Sequence, residues 1–433
     1  GRTCDPGGFH PLHRALERLS TRPRQHRSRS RRQLRRAAAV VIAATALGLG
    51  AVHYVEHALN SIPAHPRRRL RSLRAGAPHP LFDRYPGLAD RLPWLPIGSF
   101  PTPVEELPAP CEGTRLFVKR DDQSALLYGG NKVRKLEHFL GDAILRRSTS
   151  LITLGGIGSN HALATATFAR ELGLPVDLFL YDQPLNTTVQ RNLLAFADRG
   201  ARVHHSRTLV RAFVDARAEL SRRRLAGEQP YFVMVGGTNR LGCIGHVTAG
   251  LELADQVAAG ELPEPSSIFV PLGTAGTAAG LIVGIKLGGL RTRVYAVRVA
   301  DPFPANAFML RRYAQDVADF LSYADTSVPR MHIGSGDFSV VTHHFGAGYG
   351  HPTEAGQAAR SWAAPSLALE TTYSSKALAA CLEHCAGSGA GETVLFWNTY
   401  SSAHLEPSSQ PHSLPPSLQT LLGEQSAVES WSP

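Results

Sequence analysis

Lysine is nearly absent. The 433 residues include five, Lys119, Lys132, Lys135, Lys286 and Lys376, while arginine carries nearly all of the positive charge. Methionine is as sparse, with three, the first of them Met234. The sequence begins with Gly, which leaves two readings: a fragment, or a start drawn too far upstream. The five cysteines, Cys4, Cys111, Cys243, Cys381 and Cys385, are an odd, scattered set and not a disulfide framework. Cys381 and Cys385 bracket His384 in a helical stretch, but a metal there would need two more ligands, and none stands out. They read as buried thiols in a reducing compartment, and no metal is expected. Also missing is any basic stripe with interleaved aromatics after residue 75. The formal charge is +11, yet residues 1–75 hold sixteen Arg against Asp5, Glu17 and Glu56, a balance of +13 that leaves −2 for the other 358 residues. A near-neutral body argues against nucleic acid as a partner.

Length allows two or three domains, and 43% apolar residues allow a sizeable core. Residues 1–36 are rich in Arg, Ser and Pro and are expected to be disordered. The run AAAVVIAATALGLGAVHYV (37–55) is just long enough to span a bilayer, and SRRQLRR (30–36) before it resembles a twin-arginine export signal. Three readings stand: an anchor or export signal, an amphipathic surface helix, or upstream sequence without a role. Segment 37–55 is the one route to a membrane, and the second Arg cluster at 67–74 blurs any orientation argument.

From about residue 115 short β-rich runs alternate with helix-like segments. The runs are LFVKR (116–120), SLITLGG (150–156), VDLFLYD (176–182), ARVHHS (201–206), YFVMVGG (231–237), SIFVPLG (267–273), RVYAVRV (293–299) and TVLFWNT (393–399). Their continuous apolar content predicts strands covered on both faces, as in parallel sheets. Helical patterns such as NHALATATFARELG (160–173) and TVQRNLLAFADRG (188–200) lie between them. The expected class is therefore α/β, with open, mostly parallel sheets flanked by helices and ligands at the carboxyl ends of strands.

Three Gly-rich turns fall at such ends: GGIGSNH (155–161), GGTNRLGCIGH (236–246) and PLGTAGTAAGL (271–281). In the last, a loop of small residues runs into a helix, so backbone N–H groups can close around a phosphate. It is no Walker loop, since Gly-Lys-Ser/Thr is missing, and G-x-G-x-x-G is absent too. Tight helix–strand packing explains the same glycines equally well. LLYGGNKVRKLEHFL (126–140) puts Lys132 at a loop-to-helix junction. An amine, unlike a guanidinium, can lose its proton and form an imine. The helix dipole would lower its pKa and favour the neutral form. A phosphate loop plus such a lysine points to pyridoxal phosphate, against an ordinary surface lysine at a helix start.

Residues 92–399 resemble the 1-aminocyclopropane-1-carboxylate deaminase / D-cysteine desulfhydrase family, fold-type II pyridoxal-phosphate enzymes of the tryptophan synthase β superfamily. The similar blocks come in family order: GSFPTPVEEL (98–107), LFVKRDDQSALLYGGNKVRKLE (116–137), LITLGGIGSNHALATATFARELG (151–173), GGTNRLGCIGHVTAGLEL (236–253), PLGTAGTAAGL, FGAGYGHPTEA (345–355) and ETTYSSKAL (370–378). The resemblance implies that Lys132 bonds the cofactor and moves the α-proton. It puts Asn131 near the phosphate, Asn160 at the ring hydroxyl, and Ser159 and His161 beside the substrate carboxylate. Gly273, Thr274, Ala275, Gly276 and Thr277 would hold the phosphate. Tyr349 and Tyr373 would be the active-site tyrosines, and Ser374 would face the pyridine nitrogen. Helix capping by Ser159 and Asn160, or packing by Tyr349, is the alternative for each taken alone. The implied architecture has the cofactor between a larger domain (81–133 and 250–405) and a smaller one (134–249), with a basic extension at 1–80 and a disordered tail at 406–433.

Two departures bear on the substrate. ALATA (162–166) follows Ser-Asn-His where family members carry a longer polar run, and FWNTYSS (396–402) replaces a pattern like F-x-H-T-G-G. Asn398 thus stands for His, and Tyr400-Ser401 for two glycines. The implied reaction is β-elimination from a small amino acid, or ring opening of a cyclopropane, giving keto acid and ammonia. A hydroxyl at the pyridine nitrogen suits elimination. A β-replacement synthase, or a homologue that binds cofactor without turnover, are the rivals. A homodimer and a cytoplasmic location are expected, with an anchored or exported form through 30–55 as the alternative.

Overall fold

The computed structural model describes residues 65–429 apart from 75, 109 and 388–390. Segments 1–36 and 37–55 lie outside the described residues. Among the described residues no helix is long and apolar enough to cross a membrane.

The strands are β1 (Val104–Leu107), β2 (Arg115–Lys119), β3 (Ser150–Gly156), β4 (Val176–Tyr181), β5 (Arg202–Arg207), β6 (Pro230–Val233), β7 (Ser267–Leu272), β8 (Arg293–Arg298), β9 (Phe338–Val341) and β10 (Thr393–Trp397). The helices are α1 (Arg67–Arg74), α2 (Pro80–Arg84), α3 (Pro86–Ala89), α4 (Lys132–Leu145), α5 (Asn160–Glu171), α6 (Thr187–Asp198), α7 (Leu209–Leu225), α8 (Arg240–Ala258), α9 (Gly276–Leu287), α10 (Ala307–Ala324), α11 (Glu354–Ala363), α12 (Ser374–Gly387) and α13 (Pro416–Glu429). A six-stranded sheet runs β1-β2-β10-β7-β8-β9, and a four-stranded sheet runs β5-β4-β3-β6. Among the described residues only the β1–β2 pair is antiparallel. β3 and β7 are buried at every position, as strands with helices on both faces must be.

Between the sheets α8 lies against α4 and α9. A Cβ on Gly245 would sit 2.0 Å from the Arg134 carbonyl oxygen, and one on Gly280 2.3 Å from that of Cys243. The bare backbone at these two sites lets the helices touch. Gly280 therefore serves packing, while the earlier part of the same Gly-rich run is left for the site.

Both ends of the chain differ from expectation. The body reaches back beyond residue 81: His65 Nε2 lies 2.8 Å from Asp142 Oδ1, and Leu70 of α1 is fully buried. At the other end a disordered tail is expected, yet 416–429 form α13. Leu418 and Leu422 on one face of α13, with Leu414 just before it, enter the main core. Pro416 opens that helix, where a missing N–H is harmless.

Candidate active site

Four loops meet at carboxyl ends of parallel strands: after β3, β6, β7 and β10. α4 starts beside them. Lys132 is the first residue of α4, half-buried, and its ammonium has no hydrogen-bond partner among the described residues. Burial pushes its pKa well below the ordinary lysine value, and the charge of Lys135 adds to this. Dehydration thus outweighs the dipole argument made from sequence and acts in the same direction, favouring the neutral amine. Gly130 enters this junction at φ +92°, and a Cβ there would meet the Thr399 carbonyl oxygen at 2.8 Å. The Asn131 N–H donates to that same oxygen at 3.2 Å, so the lysine loop rests on the loop after β10.

The loop after β7 forms a cradle. Ala275 adopts φ +66°, a left-handed conformation costly for alanine, and turns the chain into α9. The N–H groups of Gly276, Thr277 and Ala278 have no acceptor among the described residues. Around them stand the Asn131 amide, donating to the Thr277 hydroxyl at 2.9 Å, and the Thr238 hydroxyl, 2.7 Å from that of Thr274. Lys135 Nζ donates to the Gly236 carbonyl oxygen at 3.0 Å and would lie 2.9 Å from a Cβ on Gly276. Burial holds the Lys135 pKa down at about 8. Free N–H groups, three hydroxyls and one ammonium around a helix start are the donor set for a phosphate. Lys135 and Thr238 are absent from the sequence reading. Lys135 had a signal, since it is one of five lysines and shares a helix face with Lys132.

After β3, Ser159 caps α5, accepting from the Ala162 N–H at 3.2 Å, as its helix-capping alternative predicts. Its backbone neighbours are open: the N–H groups of Asn160 and His161 have no acceptor among the described residues. The Asn160 side-chain oxygen accepts from the Tyr128 hydroxyl at 3.2 Å and from Asn192 at 3.0 Å. His161 Nε2 lies 3.0 Å from the Thr153 hydroxyl. Burial, then Lys132 and Lys135, holds His161 neutral, well below its usual range.

Tyr349 and Tyr373 come from separate segments and share a very short hydrogen bond between their hydroxyls. Tyr349 reaches the end of β3, where a Cβ on Gly156 would meet its hydroxyl at 3.4 Å; Tyr373 lies 3.9 Å from the Cβ position of Gly273. Burial raises both phenol pKa values, so both keep their protons. Ser374 opens α12 and is fully buried. Its hydroxyl accepts from the Glu370 N–H at 2.9 Å, and the Glu370 carboxylate accepts from the N–H groups of Thr372, Tyr373 and Ser374 at 2.7–2.8 Å. Glu370 was not singled out from sequence, although it caps the local turn that carries the tyrosine.

Comparison with known proteins identifies the family. The profile of the family described as "Pyridoxal-phosphate dependent enzyme" matches residues 96–399. The chain belongs to that family. It is an enzyme that uses pyridoxal phosphate, on a fold-type II scaffold, and the donor set around Lys132 fits that group. Among its relatives is a D-cysteine desulfhydrase of Klebsiella pneumoniae (strain 342), 33% identical over 303 residues, or 68% of this chain and 88% of that protein. Another, from Salmonella choleraesuis (strain SC-B67), is 32% identical over 306 residues, again 68% and 88%. The solved structure of an ACC deaminase homologue superposes with TM-score 0.62 at 25% identity, covering 78% of this chain and 96% of that one. O-ureido-L-serine synthase shares the fold at TM-score 0.50 and 15% identity, covering 69% and 89%.

Proposed function

We propose that this enzyme eliminates a β-substituent from a small amino acid and releases keto acid and ammonia, as a D-cysteine desulfhydrase does, with aminocyclopropane-carboxylate deamination as the related reaction. One observation carries the reading: Lys132, unpartnered among the described residues and with its pKa lowered by burial, stands beside a phosphate cradle and at the same strand ends as two joined phenols. Pyridoxal phosphate, when bound, supplies an aldehyde that condenses with amines and a ring that draws electrons from the α-carbon. Asn131, Thr274, Gly276 and Thr277 hold its phosphate with Lys135 and Thr238, on a turn shaped by Gly273 and Ala275. Asn160 meets its ring hydroxyl, and Ser374, steadied by Glu370, faces its ring nitrogen.

The open N–H groups of Asn160 and His161 hold the substrate carboxylate, with Ser159 fixing that turn. Lys132 Nζ, uncharged, takes the α-proton. Tyr349 or Tyr373 hands a proton to the group leaving Cβ. The site lies between the larger domain (81–133 and 250–405) and the smaller (134–249). A homodimer, tested by sedimentation, is part of this proposal. The free thiols Cys111, Cys243, Cys381 and Cys385 support a reducing compartment, the cytoplasm.

The test is release of keto acid and ammonia from a panel of D- and L-amino acids, with Lys132→Ala as control. Borohydride reduction followed by mass spectrometry should label Lys132. Product that appears only with an added thiol would make the enzyme a β-replacement synthase. No turnover with cofactor bound would leave a binding homologue.

A further inference from the structure

The run FWNTYSS departs from the resembled pattern where Tyr400 and Ser401 stand for glycines, and the fold gives that departure a partner. Tyr400 is buried in the loop after β10, the loop on which Asn131 and Gly130 rest. The Ser401 hydroxyl accepts from the Gly129 N–H at 2.9 Å, which fixes the loop beside the lysine. Tyr400 accepts a short hydrogen bond from Arg191 Nη2 of α6. Arg191 precedes Asn192, whose amide reaches Asn160 at 3.0 Å and the Gly158 carbonyl oxygen at 2.9 Å. The guanidinium therefore stands at the edge of the site. It is half-buried, its Nε is buried without a partner, and no carboxylate pairs with it among the described residues. A cation so placed lacks the anion that normally offsets lost hydration. The substrate α-carboxylate already has the open N–H groups at the start of α5.

We infer that Arg191, held by Tyr400, binds a second anionic group on the substrate, and that the preferred substrates are amino acids whose β-substituent is an oxyanion, such as a phosphate or sulfate ester. This rests on the elimination proposed above. Lys132 removes the α-proton, the Cα–H electron pair becomes the Cα–Cβ double bond, and the bond from Cβ to the substituent breaks with its pair on the departing oxyanion. Water then releases keto acid and ammonia. A guanidinium suits this part, since its planar donors match an oxyanion that gains charge as it leaves.

The experiment compares kcat/KM for O-phosphoserine and O-sulfoserine with that for β-chloroalanine, in both enantiomers, on the holoenzyme. The wild type should favour an oxyanion substrate. Arg191→Gln should lower the oxyanion-to-chloride ratio by about 100-fold, the scale for losing one partner of a buried charge pair. Arg191→Lys should recover part of it, and Tyr400→Phe should lower the ratio less. A ratio unchanged in Arg191→Gln, or a wild type that favours β-chloroalanine, overturns the inference. Binding followed by cofactor absorbance separates the two failures. Tight binding of O-phosphoserine without keto acid would sink the elimination and keep the anion seat. Keto acid from β-chloroalanine, with no oxyanion bound or turned over, would do the reverse.

Discussion

The Asn131 side chain donates to the Thr277 hydroxyl at 2.9 Å and thereby ties the residue before Lys132 to the first turn of α9. One bond couples the lysine to the phosphate cradle. Asn131 offers α4 no side-chain cap, so its amide is spent on this link alone.

Asn131→Ala removes that donor and leaves a buried hydroxyl short of a partner, a loss of about 1–3 kcal/mol. The expected outcome is cofactor affinity lower by about tenfold or more, with helix content unchanged. Titration of the apoenzyme with pyridoxal phosphate, followed by absorbance and circular dichroism, checks both.

Tyr349→Phe and Tyr373→Phe should each lower kcat by about 100-fold, the scale of one positioned acid, while cofactor stays bound. The hydroxyls share one hydrogen bond, so the double variant should lose far less than the product of the two. Steady-state rates of the three variants decide it; a full multiplicative loss would mean that the phenols act separately.

How much of this was legible beforehand depends on what each residue needs from the fold. Eight strands were readable as apolar runs, most of them because they are buried along their length; β5, a partly exposed edge strand, was readable all the same. β1 and β9 were not, and both are edge strands: β1 reads VEEL and is half exposed, so one neighbour suffices and no apolar run marks it. Lys132 was singled out as a lysine at a helix start, the turn after β7 by its small residues at a strand end, and Asn160 through the family resemblance. Arg191 and Thr238 were not, since each acquires its meaning from a partner distant in sequence: Tyr400 for Arg191, and Thr274 for Thr238. Glu370 caps the turn that holds Tyr373. α13 was missed although its leucines repeat every four residues, because the Ser- and Pro-rich stretch before it reads as tail.

Lys135 links cofactor binding to pH. Burial lowers its pKa to about 8, and only the protonated form attracts a phosphate dianion. Affinity for pyridoxamine phosphate, which cannot condense with Lys132, should hold steady from pH 7 to about 8 and then fall by up to about tenfold per pH unit. Lys135→Met should bind more weakly at every pH and lose the slope. Equilibrium titrations at several pH values measure this.

Arg134, two residues beyond Lys132, anchors α4 from behind. Its guanidinium reaches Asp121 Oδ1 at 2.7 Å and Glu252 Oε2 at 2.9 Å, all three buried. Burial alone would raise both carboxyl pKa values, but the Arg134 charge, then other partners, holds them below normal. Carboxylates depressed in the folded state add stability above their unfolded pKa and lose it as pH falls through the folded value. Arg134→Met reverses the sign. Glu252 keeps Lys119 at 2.5 Å, but Asp121 is left with the neutral donors Thr102 and Trp397 at 2.9 and 2.8 Å. Its carboxylate is then buried without an ion-pair partner, with the Lys119 charge as its remaining cationic neighbour. Its pKa therefore rises, and stability is greatest below the unfolded value and lost as pH climbs. Near pH 7 the variant should be about 3–5 kcal/mol less stable than the wild type, the range for breaking a buried pair. That gap should narrow steadily towards about pH 4, where Asp121 takes up a proton in both states. Urea unfolding of both proteins across this range measures the gap, and a difference that stays constant with pH would place the loss in packing and not in charge.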